Sequence, residues 1–139
     1  MRCARVALIG FGLFLCSLIW LADTGQERWL FRLARMIPGG DKTGHFILFG
    51  LLAFLVNLVL LGSVVRCGRL GILVGSAIVV VLAVAEEFSQ LFFVTRTFDL
   101  LDLSADLLGI WVFGQLACLY LKRERLRVRP IAEPASRRP

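Results

Sequence analysis

Nine side chains hold most of the reactive chemistry that this sequence offers: Asp41, Lys42, His45, Glu86, Glu87, Gln90, Arg96, Asp102 and Asp106. Glu86, Glu87 and Gln90 stand three and four residues apart, which places them in one neighbourhood of a helix, and Asp99, Asp102 and Asp106 share the same relation. Asp41 and His45 are also four apart, with Lys42 beside them. His45, with a free pKa of about 6.5, is the natural proton shuttle. Glu87, with Glu86 behind it, suits a base or nucleophile, and Asp102 completes the candidate catalytic set. Lys42 and Arg96 are suited to a phosphate, Arg in a bidentate manner and Lys as a point charge. Gln90, Asp41 and Asp106 complete the expected headgroup-binding set. Alternatively, Glu87, Asp102 and Asp106 supply oxygen ligands to Mg2+ or Ca2+. No His/Cys spacing supports zinc, since a single His is more often a hydrogen-bond donor than a ligand.

The elements that position these groups are apolar. The chain has 139 residues, 58% of them hydrophobic, and a mean hydropathy of +0.81. A soluble domain of this size has too little interior for that much apolar surface. Four apolar runs predict helices over about 6–22, 45–65, 70–94 and 100–121, each near the ~20 residues that cross a hydrocarbon core. The expected fold is all-α: a polytopic membrane protein, a four-transmembrane-helix bundle over residues 1–121, with both ends inside. That orientation puts eleven Lys and Arg on inside segments and five on outside loops. A cleaved signal peptide is the competing reading of residues 1–22, but no A-x-A site follows the run.

Charge inside a membrane helix costs about 2.5–3.5 kcal/mol per group on insertion scales. Here it gathers at one end. At 1.5 Å per residue, Glu87 lies roughly 13 Å below Arg96, and Asp106 roughly 10 Å below Asp99. His45 is within about one turn of the start of helix two. All three sets converge on the outer half of the membrane. Structural interhelical bonding is the plainer account, with Asp99 or Thr97 as a cap for helix four, but the number of acids exceeds what packing needs.

The segment 26–37 alternates Arg28, Arg32 and Arg35 with an apolar stripe, the pattern of an interfacial amphipathic helix. Pro38-Gly39-Gly40 ends it, and Asp41 is expected to cap helix two. Arg66-Cys67-Gly68-Arg69 reads as a tight inner hairpin. The four cysteines form no CxxC pair and read as apolar packers. Seven of the sixteen basic residues lie in the tail 122–139, expected to be disordered and to hold anionic inner-leaflet lipids. The net charge of +6 is not accompanied by any groove-reading motif, so no nucleic acid partner is expected.

The strings DKTGHFILFGLL and EEFSQLFFVTRTFDLLDLSADLLG resemble the VanZ-like family of bacterial membrane proteins. In that family D-K-x-x-H opens one helix, E-x-x-Q ends the next, and R-[ST]-x-x-x-x-D-x-x-x-N-x-x-G enters the last. Asp41, Lys42, His45, Glu87, Gln90, Arg96, Asp102 and Gly109 match, over about residues 37–115. Asp106 stands where the family usually has asparagine, and Thr95 where a glycine often precedes the arginine. The resemblance implies a multi-pass protein of the bacterial cytoplasmic (inner) membrane, connected to the cell envelope. The family takes its name from an accessory protein of glycopeptide resistance that favours resistance to teicoplanin.

Three functions fit these residues. The first is an enzyme acting on lipid headgroups or lipid-linked envelope intermediates at the outer leaflet. The second is a non-catalytic binding or accessory protein of the envelope using the same pocket. The third is a small carrier, which the charge distribution disfavours because the inner half offers only Asn57 and Gln115.

Overall fold

The computed structural model describes residues 2–24, 39–67, 70–93 and 97–128. Among these, four helices carry the chain: α1 (Arg2–Asp23), α2 (Gly40–Val59), α3 (Val74–Ser89) and α4 (Leu100–Val128). A short antiparallel pair, β1 (Val64–Cys67) and β2 (Leu70–Leu73), joins α2 to α3. One turn of 3-10 helix, Gln90–Phe92, extends α3. The four helices are long and apolar enough to cross a membrane, with α3 counted through that turn. The expected interfacial segment 26–37 lies outside the described residues.

The bundle is apolar outside as well as within its core of Leu15, Phe49, Leu52, Val79 and Ile110, and it buries several polar groups. Val6, Val81, Phe92, Leu108 and Trp111 are exposed, while Asn57, Glu87, Gln90, Asp102 and Asp106 are buried. Helix packing without a hydrophobic drive depends on close approach, which small residues permit. The most extensive interface is between α2 and α4. Within it Gly109 faces the backbone of Phe46, and a Cβ there would overlap the Phe46 carbonyl. Gly75 gives way in the same manner to Asn57, whose Nδ2 donates to the Ala53 carbonyl (2.9 Å) and to Ser76 Oγ (3.0 Å). Helix α1 packs on α2 and buries only Leu15 and Ala22.

Three boundaries differ from those expected. The second and third apolar runs do not remain helical to residues 65 and from 70. Helix α2 ends at Val59 in a reversal in which the Gly62 amide donates to the Asn57 carbonyl (2.8 Å) and the Leu61 amide to that of Leu58 (3.2 Å). This paired 6→1 and 5→2 bonding stops the helix, and the β-branched pair Val64-Val65 then ladders with Leu73 and Ile72. Leu61 sits at φ 56°, where a side chain costs about 1 kcal/mol. Leu61→Gly is therefore expected to raise stability by about 1 kcal/mol, read as a higher midpoint in denaturant unfolding of the protein in micelles.

The second difference is the cap of α2, which is Gly39 in the left-handed region rather than Asp41. Asp41 falls in the first turn, where its charge complements the helix dipole. The third is the tail. Helix α4 continues from the expected end at 121 through Val128, because Lys122–Arg127 are strong helix formers with basic residues placed at the helix C-terminus. Arg127 also pairs with Glu124 at 3.4 Å.

Candidate functional site

Helix direction alternates along the chain, so the end of α3 and the starts of α2 and α4 meet at one end of the bundle. Asp99 is the hub. Its Oδ1 accepts the Leu101 amide (2.8 Å), making it the N-cap of α4. Its own amide donates to Glu87 Oε1 (2.6 Å), which ties the end of α3 to the start of α4. Its Oδ2 meets Lys42 Nζ at 3.0 Å, and the same ammonium meets Asp102 Oδ1 at 2.9 Å. One lysine of α2 thus bridges two acids of the α4 N-terminus.

One turn deeper, His45 Nδ1 lies 3.1 and 3.3 Å from the two oxygens of Asp106. The imidazole stacks on Phe49, with ring centroids 6.2 Å apart and planes 14° off parallel. Gln90 Nε2 donates to both oxygens of Glu86 (3.2 and 3.1 Å) and to Glu87 Oε2 (3.2 Å). Glu87 and Asp106 are 0% exposed, Gln90 4% and Asp102 7%. A carboxylate in that position needs a partner for each charge or a proton. Donor atoms of His45, Glu87 and Asp106 lie within 4.8 Å of one another.

Asp99 stands just outside the membrane-length spans. The Leu101 amide and the Lys42 ammonium hold its carboxyl below the usual carboxylate range. A lowered folded-state pKa means that its contribution to stability is complete above about pH 4 and is lost as pH falls through the lower value.

A groove between α1 and α2 adjoins this cluster, open on one side, with a cavity volume of about 100 Å³. Leu15, Leu18 and Ile19 form one wall, and Leu48 and Phe49 the other, while Asp41, His45 and Glu86 stand at its polar end. An imidazole fixed through one nitrogen by a buried carboxylate keeps a defined ring orientation, which suits proton transfer or ligation.

Of the nine residues singled out from sequence, seven join this network: Lys42, His45, Glu86, Glu87, Gln90, Asp102 and Asp106. Asp41 is exposed at the groove rim. Arg96 lies outside the described residues. Two expected roles change. Lys42 is held by Asp99 and Asp102 and is not a free phosphate anchor. Asp102 belongs to that pair, and His45 takes its place in the group of donor atoms with Glu87 and Asp106. Asp99, the hub, was legible as a helix cap and a helical neighbour of Asp102 and Asp106, but not as the partner of Glu87 and Lys42. The wall supplied by α1 had no polar residue to announce it.

Fold and site together define a four-helix protein of membrane-crossing dimensions with a buried, largely acidic cluster at one end of the bundle. The chain is 38% identical over 99 residues to an uncharacterized protein of Schizosaccharomyces pombe, a match covering 71% of this chain and 59% of that protein. It thus spans about three fifths of that relative's length. No family model matches the chain, and no solved structure matches it. These findings overturn the VanZ-like resemblance. A family assignment carried by short polar motifs should be met by a family model, and the relative found is eukaryotic. The bacterial inner membrane, the cell envelope and teicoplanin resistance lose their support with it. The polar residues keep the significance that their geometry gives them.

Proposed function

We propose that this is a multi-pass membrane protein whose polar end-cluster engages, and acts on, the phosphate-bearing headgroup of a membrane lipid. The observation that supports this most is the shared boundary between His45 and the α1–α2 groove. An apolar groove and a buried polar cluster meet at His45 and Glu86, the arrangement an amphiphile requires. The distribution of Arg and Lys favours an orientation with the hairpin and the end of α4 facing the cytosol, and the cluster at the opposite leaflet. In this reading His45, Asp106 and Glu87 are the groups that meet the headgroup, Lys42 with Asp99 and Asp102 fixes the helix starts, and the basic end of α4 holds anionic lipid on the cytosolic side.

The test is headgroup turnover by the purified protein in nanodiscs of radiolabelled phospholipids and lipid-linked intermediates, with His45→Ala and Glu87→Gln as comparisons. Headgroup release or exchange by the native protein, reduced at least ~100-fold in both variants while they remain folded, is the expected result. Lipid retained through purification with no turnover in any condition would make the site a binding pocket instead. Turnover unchanged by both substitutions would remove these residues from the chemistry.

A further inference from the structure

Headgroup binding leaves a charge unaccounted for. Asp99 and Asp102 share one ammonium, that of Lys42. Below them Glu87 and Asp106 are fully buried, and among the described residues the only basic group bonded to either is the His45 ring. Among the described residues, four carboxylates thus face one lysine and one imidazole. A site of this sign repels a lipid phosphate, and burying carboxylates in a low-dielectric bundle is itself costly.

We propose that His45 Nδ1, Glu87 and Asp106 bind one first-row divalent cation of the Zn2+ or Mn2+ type. Each of the three helices that build the cluster contributes one donor: α2 the imidazole, α3 and α4 a carboxylate each. Ligands to such an ion stand about 2.0–2.2 Å from it, so neighbouring donors lie about 3 Å apart at octahedral angles and about 3.4 Å at tetrahedral ones. The His45–Asp106 separation of 3.1 Å already falls in that range, and the rest of the triad, within 4.8 Å, reaches it by a side-chain closure of up to about 1.5 Å. One nitrogen and two oxygens form a mixed set that suits Mn2+ and Zn2+; Mg2+ and Ca2+ prefer oxygen ligands. This distinguishes the site from the all-oxygen set of Glu87, Asp102 and Asp106 expected from sequence.

The cation replaces any proton shared between His45 Nδ1 and Asp106, so its binding releases protons and tightens as pH rises. Asp99 supports the site from outside, because its amide fixes Glu87 Oε1. The inference deepens the headgroup reading and rests on it for the ion's purpose: two positive charges beside the groove supply what Lys42, already neutralised, does not.

The experiment uses the tag-free full chain in detergent, stripped with EDTA and titrated with Mn2+ alone. One Mn2+ per chain is expected, with a 14N coupling from a single imidazole in pulsed electron paramagnetic resonance. Zn2+ should displace it, and millimolar Mg2+ or Ca2+ should not. Asp106→Asn and Glu87→Gln should each weaken Mn2+ binding by at least ~100-fold. The native protein's nitrogen coupling keeps the test decisive if either variant misfolds. No stoichiometric Mn2+, Mn2+ bound without nitrogen coupling, or displacement by Mg2+ or Ca2+ would overturn the proposal. Lipid is absent throughout, so a bound cation in a protein that ignores lipid upholds the cation site and removes only the headgroup reading.

Discussion

Gly109→Ala is expected to destabilise the bundle by about 3 kcal/mol and to disable the site with it. A Cβ at this position meets the Phe46 carbonyl and Cα, all backbone atoms of α2, so no side-chain rotation relieves the overlap. The helices must separate instead, at the interface that carries most of the packing. Alanine's better helix propensity returns only about 1 kcal/mol. Phe46 adjoins His45, so separation at Gly109 also moves the imidazole away from Asp106, three residues before the glycine. Denaturant unfolding in micelles reads the loss. Gly10→Ala is the comparison, because nothing stands within 4 Å of a Cβ there and the change should be neutral or slightly stabilising.

Glu87 separates structure from chemistry. Glu87→Ala should cost about 2–3 kcal/mol, because it removes the acceptor of the Asp99 amide at 2.6 Å and one partner of Gln90, and leaves a void among fully buried atoms. Glu87→Gln retains an oxygen for the Asp99 amide and the same volume, so it should cost under about 1 kcal/mol. Both variants lose the carboxylate charge. Equilibrium unfolding should therefore distinguish them, while lipid turnover should be lost in both. Equal destabilisation by the two would mean that the charge, and not the acceptor, holds α3 to α4.

The number and placement of the helices were legible because burial inside a membrane-length bundle and exposure on its surface both demand apolar residues. The same uniformity concealed where α2 ends. Hydropathy runs unbroken past Val59, and the stop is a backbone event at Leu61 and Gly62 followed by a ladder that Val64 and Val65 favour. Spacing showed that Asp99, Asp102 and Asp106 share a helical neighbourhood, but not what they face. Lys42 stands 57 and 60 residues from its two acids, a separation that no local pattern reports. The motifs selected residues that do converge, yet the family they suggested was not supported. Short polar strings near membrane helix ends are constrained by capping and interhelical bonding whatever the protein does. Helix α1 carries no charge between Arg5 and Asp23, so its part in the groove beside His45 emerged only from packing.

The central claim is that a lipid lies in the α1–α2 groove with its headgroup at His45. The direct measurement is crosslinking of the native protein in nanodiscs containing phospholipids that carry a diazirine on the acyl chain, with labelled residues mapped by mass spectrometry. Adducts concentrated at Leu18, Ile19 and Leu48, and displaced by excess unlabelled phospholipid, are the predicted result. Adducts spread evenly over outward residues such as Val81, Leu108 and Trp111, with the groove no richer than they are, would contradict it.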